Sequence, residues 1–219
     1  MTSDARITLA VVDDDSIVRS ALATYLTTGG FTVVHQVANG EEAVRAIADE
    51  PVDVVLMDVR MPRMDGIQAT SILRRRVPSA RVIIITSFDD DDALRNAIRA
   101  GASGFLLKDT SPAGIVQAVR TVMQGAAAVS PGPLARLVQR TPARQPSTTP
   151  GDIGLSPRES GILRLLCDAQ TNTEIATSLE LSESTVKSHV SAIMTKLDVS
   201  SRLKAVVRAY ELGLVTRHL

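Results

Sequence analysis

Over the first 125 residues, short apolar runs alternate with segments of helical periodicity, and this alternation restricts the chain to few folds. Apolar runs with almost no polar interruption are typical of strands that are covered on both faces of a sheet. Gly101 follows one helical segment as a stop, and Ser111-Pro112 begins another. Strands that alternate with helices predict a parallel, doubly wound α/β sheet. The five predicted strands are residues 7–12, 31–34, 52–57, 82–85 and 105–107.

Polar residues stand at the carboxyl ends of four of these strands, the edge where a parallel sheet forms its ligand site. They are Asp13 and Asp14, Asp58, Thr86 and Lys108. Carboxylates are the oxygen ligands that Mg²⁺ prefers, and a carboxylate can also be the nucleophile that accepts a phosphoryl group. A lysine and a hydroxyl can hold the phosphoryl oxygens. The set predicts phosphoryl transfer to Asp58.

Other interpretations of the acidic residues remain open at this point. Asp13, Asp14 and Asp15 could each be a helix N-cap. The same segment fits the Asp-x-Asp pattern of a Mg²⁺-dependent phosphatase of the haloacid dehalogenase type, an enzyme in which Asp13 would be the nucleophile. The acidic run at 89–92 is interpreted as a helix N-terminus, where acids favour the helix dipole, and not as a metal site.

The composition changes at residues 130–154, where Pro, Ser, Thr and Gly replace the regular apolar pattern. We therefore place a first domain at residues 1–125, a linker at 126–153 and a second domain at 154–219. Within the linker, residues 133–140 could form a short helix.

The second domain has a purely helical pattern. SPRE at 156–159 and TNTE at 171–174 are capping boxes, and Ser182 is the N-cap of the following helix. Two helices joined by a short turn predict a helix-turn-helix, which places its second helix in a DNA groove. A plain helical bundle is the alternative.

The residues from 182 to 197 form a helix with one narrow apolar stripe and a small, polar opposite face. The stripe consists of Val186, Val190, Ile193 and Leu197, and the opposite face of Ser184, Ser188, Ser191 and Thr195, with Lys187 at its border. Small hydroxyls let a helix approach base edges and phosphates closely, which favours DNA. The weak net charge of this domain, +1 from 8 Lys and Arg against 7 Asp and Glu over residues 154–219, argues mildly against DNA binding.

The motifs VVDDDSIVRS, LMDVRMPRMDG, IIITS and GFLLKD, in this order, resemble the receiver domain of two-component response regulators over about residues 5–125. The resemblance implies that Asp58 accepts phosphate from a cognate sensor histidine kinase. It also implies that Mg²⁺ is bound by Asp14, Asp58 and the backbone carbonyl of Arg60, with Asp13 supporting them through water.

The same resemblance assigns three further residues to the phosphorylated state. Lys108 would pair with the phosphoryl group, and Thr86 would move to bond it. Phe105 matches the aromatic switch position, which is often Tyr in the family.

Residues 155–206 strongly resemble the LuxR-type helix-turn-helix, through the sequence LSPRESGILRLLCDAQTNTEIATSLELSESTVKSHVSAIMTKLDVSSRLKAV. Together, the two resemblances point to a response regulator of the NarL/FixJ class. In this class Lys187, Ser188 and Ser191 would face the major groove of double-stranded DNA. The positions that touch phosphates in the family correspond to Asn172, Thr173, Thr185 and Lys196.

The sequence as a whole therefore predicts a transcription factor and not an enzyme. Phosphorylation of Asp58 would control dimerisation and binding to an inverted repeat, with the final helix as pairing surface through Leu203, Val206, Val207 and Tyr210. A phosphate-independent dimerisation module is a further alternative. Because no apolar run approaches the roughly 20 residues of a membrane helix and the start does not resemble a signal peptide, we expect a cytoplasmic protein with no membrane partner.

Overall fold

The computed structural model describes residues 6–87, 91–130, 132–133, 149–168 and 170–215. The chain divides into two compact units, one of residues 1–123 with 128–130 and one of residues 124–127 with 131–219. Most of the short helix predicted at 133–140, and part of the acidic run at 89–92, lie outside the described residues. Within the described ranges, no helix has both the length and the apolar character needed to cross a membrane.

The first unit contains a parallel sheet in the strand order β2-β1-β3-β4-β5-β6. The strands are β1 (Thr8–Val12), β2 (Thr32–Val37), β3 (Val54–Asp58), β4 (Arg81–Thr86), β5 (Gly104–Leu107) and β6 (Ala128–Val129). The doubly wound parallel sheet predicted from the sequence is confirmed, and the five predicted strands are present with bounds that differ by a few residues. The sixth strand, two residues that pair with Gly104 and Phe105, was not predicted because so short a segment shows no periodicity.

Five helices follow strands of this sheet. They are α1 (Ser16–Thr28), α2 (Gly40–Asp49), α3 (Gly66–Arg76), α4 (Asp91–Ala100) and α5 (Pro112–Met123). Asp15, Asn39 and Asp65 are N-caps whose side chains accept backbone N–H groups. Helix α1 contacts α5, while α3 contacts both α2 and α4.

The sheet core fixes where the strand ends lie. Every residue of β3 is buried, and β1 and β4 are buried except at their first residues. Because the strands are parallel, their last residues meet at one edge, so Asp13, Asp58, Thr86 and Lys108 come together.

The second unit is helical, as the sequence predicts. It contains a 3-10 helix (Pro150–Ile153) followed by α6 (Pro157–Cys167), α7 (Asn172–Ser178), α8 (Glu183–Lys196) and α9 (Arg202–Glu211). The predicted capping boxes at the starts of α6 and α7 are both present, and a third one, between Thr149 and Asp152, starts the 3-10 helix.

A single hydrophobic core holds these helices together. The apolar stripe predicted on α8 is buried in it, with Val186 and Ile193 fully buried. Cys167, the only cysteine of the chain, packs against the edge of this core. Burial raises the pKa of its thiol to about 12.

Two of the four residues predicted to form a pairing surface on the final helix are buried. In α9, Leu203 and Val206 lie within the core, at 2% and 6% exposure, so they cannot pair with a second copy in this conformation and the prediction is corrected for these two. Val207 and Tyr210 are partly exposed. The apolar periodicity of α9 is that of a helix packed on its own protein.

Candidate functional site

Three carboxylates lie together at the carboxyl edge of the sheet. Asp13 follows β1 and is fully buried, Asp58 ends β3 and is 6% exposed, and Asp14 is exposed. One oxygen from each of the three lies within 4.8 Å of the others. A cluster of hard oxygen donors at this spacing fits a Mg²⁺ ion, which binds few carboxylates and keeps several waters.

Lys108, just after β5, lies between two of these carboxylates. Its Nζ is 2.6 Å from Asp13 Oδ2 and 3.4 Å from Asp58 Oδ1. Burial alone would lower the pKa of Lys108, but its hydrogen bonds and charge interactions with Asp13 and Asp58 outweigh burial and raise that pKa. The ammonium group therefore keeps its charge at the site.

Asp58 has a different electrostatic environment from the other acids. Burial raises the pKa of Asp58 to about 6, Lys108 acts in the opposite direction, and the charge of Asp13 adds to the increase. A carboxylate that is poorly solvated and close to a lysine can act as a nucleophile when a cation lowers the repulsion around it.

Thr86 and Phe105 lie beside this group. Thr86 ends β4 and is 2% exposed, and its carbonyl accepts the backbone N–H of Lys108 at 2.8 Å. Phe105 lies in β5 and is fully buried. The backbone thus connects Thr86 directly to Lys108, and one strand, β5, carries Phe105 towards the same edge.

The loop after β3 is held close to the site. Gly66 begins α3, and a Cβ at this position would lie 1.9 Å from the carbonyl oxygen of Asp58, so only glycine fits. Arg63 has a φ of 68° and pairs with Glu42 at 2.8 Å. Arg60 and Asp14 line an open cavity of about 740 Å³ beside the carboxylates, so the loop residue predicted to bind Mg²⁺ lies on the same side as Asp14.

The sequence did not predict the role of Arg19, and of the three acids that could have been N-caps, Asp15 is the one that caps α1. Arg19, in α1, donates from Nη1 to the backbone carbonyl of Asp13 and so holds the loop that carries Asp13 and Asp14. Asp15, counted among the acids, is the N-cap of α1 and accepts the N–H groups of Ile17 and Val18. The VVDDD motif therefore combines two site acids with one cap.

In the second unit, α8 carries most of the residues predicted to contact DNA. Lys187, Ser188 and Ser191 are exposed on its outer face, and the Lys187 side chain is 64% exposed. Thr185 is partly exposed and lies within hydrogen-bond distance of Ser182. Thr173, at the start of α7, is exposed and donates to Glu183 at 2.7 Å.

The side chains of two residues predicted to contact phosphates are bonded to partners within the second unit. Asn172 is 5% exposed, and its Oδ1 accepts from Arg202 at 2.9 Å, so its side chain does not face solvent. Lys196 donates to both carboxylate oxygens of Glu159, at 2.9 and 2.7 Å. These partners lie about 30 and 37 positions away in sequence, which is why local pattern did not predict them.

Comparison with known proteins identifies a family for each of the two units. The family described as response regulator receiver domain matches residues 9–120, and the family described as bacterial regulatory proteins, luxR family, matches residues 154–209. Together these matches cover both units and leave unmatched most of the segment between them.

Individual relatives match over nearly the whole chain. The transcriptional regulatory protein DegU of Brevibacillus brevis is 32% identical, covering 97% of this chain and 97% of that protein. The response regulator protein VraR of Staphylococcus aureus is 35% identical, covering 93% of this chain and 96% of that protein. The crystal structure of the response regulator ChrA of a heme-sensing two-component system is 32% identical over 96% of this chain and 99% of that chain, with a TM-score of 0.53.

The haloacid dehalogenase alternative has no support from these matches, which are a response regulator receiver domain and a luxR-family regulatory protein. With the acidic site in the first unit and the helix-turn-helix in the second, the chain belongs to the NarL/FixJ class of response regulators, transcription regulators with a receiver domain and a LuxR-type DNA-binding domain.

Proposed function

We propose that a cognate sensor histidine kinase phosphorylates Asp58 in a Mg²⁺-dependent reaction, and that this phosphorylation controls dimerisation and sequence-specific binding to double-stranded DNA. The observation that carries the proposal is the group of Asp58, Lys108 and two further carboxylates at one edge of the sheet. No catalytic turnover of a substrate is required, because the protein is itself the phosphoryl acceptor.

The transfer begins with attack by an Asp58 carboxylate oxygen on the phosphorus of a phosphohistidine. The O–P bond forms as the N–P bond breaks, and the histidine nitrogen keeps the electron pair. Lys108, 3.4 Å from Asp58, is close enough to pair with the phosphoryl oxygens, and the Thr86 hydroxyl would donate to them after it moves. Asp14, Asp58 and the Arg60 carbonyl would hold Mg²⁺, supported by Asp13, and the ion would neutralise part of the phosphoryl charge.

If phosphorylation is to control DNA binding, the added charge on Asp58 must change the conformation of other residues. The carbonyl of Thr86 accepts the backbone N–H of Lys108, and Phe105 lies in β5, three residues before Lys108 and paired with Ile84 of β4. We propose that Thr86 moves to bond the phosphoryl group and that Phe105, fully buried here, repacks in response.

For DNA binding, we propose that α8 is the recognition helix. Lys187, Ser188 and Ser191 would face the major groove, with Thr185 and Thr173 near phosphates. Their exposure supports this role. Asn172 and Lys196 are left out because their side chains are already bonded within the unit.

Acetyl phosphate labelling followed by mass spectrometry tests the phosphorylation site. We expect one phosphoryl group on Asp58 with Mg²⁺, and none with a chelator or in Asp58→Asn. Asp53→Asn is the matched control, because Asp53 lies at the opposite end of β3, where it accepts from Thr8, and it should label normally. Labelling of Asp13, or turnover of p-nitrophenyl phosphate, would instead indicate the phosphatase.

Selection from random DNA, with and without acetyl phosphate, tests the output. We expect an inverted repeat that is enriched more strongly by the phosphorylated chain. Replacement of Lys187 by Ala should weaken binding to the selected duplex by about 1 to 3 kcal/mol and relax the preference at one position. Equal enrichment with and without phosphorylation would support the phosphate-independent dimerisation module.

A further inference from the structure

Glu159 connects the start of the second unit to the end of its exposed helix. It is the third residue of α6 and is 5% exposed. Its Oε2 accepts the backbone N–H of Ser156 at 2.7 Å, which closes the capping box. The same carboxylate accepts two bonds from Lys196 Nζ, at 2.9 Å to Oε1 and 2.7 Å to Oε2.

Lys196 is the last residue of α8, so these bonds attach the C-terminal end of that helix to the N-terminus of α6. The two lysines of α8 differ in this respect. The Lys187 side chain is 64% exposed and lies 3.9 Å from Glu183, whereas the Lys196 side chain is 35% exposed and its partner is 6% exposed.

A DNA phosphate would have to compete with Glu159 for Lys196. Removal of the ammonium group would leave a buried carboxylate without its cation, which is strongly unfavourable. The Lys196 charge is therefore already neutralised within the protein and releases no counterion from DNA. The pKa of Glu159 is lowered to about 2, first by the hydrogen bond from Lys196 and then by the Ser156 N–H.

We propose that Glu159 and Lys196 are positioning residues that fix the angle of α8 for base recognition, and that Lys196 does not contact phosphate. This inference rests on the proposed DNA-binding role of α8. Base recognition requires the helix to be held within a fraction of an ångström of its correct position, and a pair that joins its C-terminal end to another helix meets this requirement.

The first experiment measures the full chain against two duplexes, one selected from a random pool and one of random sequence, over a range of salt concentrations. For Lys196→Met we expect a salt slope equal to that of the unmodified chain and a ratio of specific to random binding that falls about tenfold. Lys196→Arg, which keeps the charge and two donors, should restore the ratio. Lys187→Met is the matched control on the same helix and should weaken binding to the selected duplex.

A decrease of the salt slope by about 0.9 in Lys196→Met, the value for one lost phosphate contact, would overturn the inference. A second measurement needs no substitution. Reductive methylation of the unmodified chain, read by mass spectrometry, should show DNA protecting Lys187 and leaving the rate at Lys196 unchanged. Protection of Lys196 by DNA would also contradict the proposal.

The ion pair can also be measured without DNA. The decrease in melting temperature of Glu159→Gln/Lys196→Met should be clearly smaller than the sum of the two single decreases, and simple additivity would mean that no coupled pair exists. If the unmodified chain shows no sequence preference at any salt concentration, the proposed DNA-binding function fails, and the positioning role fails with it. If it binds selectively and Lys196 behaves as a phosphate contact, only the positioning role of Glu159 and Lys196 fails.

Discussion

At the residue scale, the acidic site combines groups that favour chemistry over stability. Asp58 is a buried carboxylate next to a second buried carboxylate, Asp13, and one lysine serves both. Lys108 lies closer to Asp13 than to Asp58, so the negative charge of Asp58 is less completely balanced than that of Asp13. A buried charge with incomplete pairing destabilises the folded state.

Replacement of Asp58 by Asn should therefore stabilise the protein when no metal is present. In a chelating buffer near neutral pH we expect the free energy of unfolding to rise by about 1 to 2 kcal/mol, because the amide removes one negative charge and Lys108 keeps Asp13. Chemical denaturation measures this difference. Addition of Mg²⁺ should stabilise the unmodified chain more than the variant. Asp53→Asn, which replaces the charged acceptor of Thr8 by a neutral amide oxygen, should be less stable in both buffers.

Two glycines give opposite expectations for the same substitution. Gly66→Ala should destabilise by about 2 kcal/mol or more, because its Cβ would overlap the carbonyl oxygen of Asp58. Gly161→Ala, inside α6 with no atom within 4 Å of the new Cβ, should stabilise by about 1 kcal/mol through helix propensity. Thermal melts of both variants decide the matter, and the Gly66 variant should also label more slowly with acetyl phosphate.

At the scale of elements, the second unit is organised by its helix ends. Capping boxes start the 3-10 helix, α6 and α7. Helices α7 and α8 both end in a Schellman motif with a non-glycine residue in the left-handed region, Glu180 and Asp198, each with a φ of 53°. The bonds from Leu181 to Ala176 and from Val199 to Met194 complete these motifs.

The left-handed residues are sites for stabilisation. Asp198→Gly should increase the free energy of unfolding by about 0.5 to 1 kcal/mol, since glycine adopts this conformation without steric penalty. Asp168, which ends α6 with a φ of −80°, is the control, and Asp168→Gly should destabilise. If both substitutions had the same sign in a denaturation experiment, the backbone explanation would be wrong.

The stability of the second unit should depend on pH through Glu159. The pKa of this acid is about 2 in the folded chain against an ordinary value of 4.5. Its contribution is therefore complete above pH 4.5 and is lost as the pH falls towards 2, since protonation then favours the unfolded chain. The difference in unfolding free energy between the unmodified chain and Glu159→Gln should be about 2 kcal/mol at pH 7 and should shrink steadily below pH 4.5.

The sequence predicted the elements better than their tertiary partners. Strands and caps follow from local pattern, so the parallel sheet and the capping boxes of α6 and α7 were predicted. The burial of Asn172 and the engagement of Lys196 depend on Arg202 and Glu159, which lie far away in sequence. The sequence was enough to predict that the strand-end acids lie together, because a parallel topology brings strand ends to one edge. The distances between these acids and the role of Arg19 depend on the three-dimensional structure.

At the scale of the whole molecule, the chain combines a receiver unit with a LuxR-type DNA-binding unit. Its formal net charge is zero, so long-range attraction to DNA is weak and a single copy should bind weakly. Binding of two copies to adjacent half-sites would overcome this weakness, since the second contact becomes intramolecular. Phosphorylation has to act by favouring one conformational or oligomeric state through differential contacts.

Beryllofluoride with Mg²⁺, a mimic of the phosphoryl group, should therefore change the sedimentation coefficient or the DNA affinity of the full chain. Analytical ultracentrifugation and fluorescence titration measure these two quantities. Asp58→Asn should show neither change at the same concentrations. Identical behaviour of the unmodified chain with and without the mimic would refute the coupling.

The lone cysteine makes the second unit observable by itself. Cys167 packs against the edge of that unit's core, is partly exposed, and has a thiol pKa of about 12, so almost no thiolate exists at neutral pH while the helices stay packed. A chromogenic thiol reagent should therefore react more slowly with the folded chain than with the unfolded chain. The ratio of the two rates measures how well the helices of the DNA-binding unit are packed, with no introduced label, and the receiver unit has no cysteine that could add to the signal.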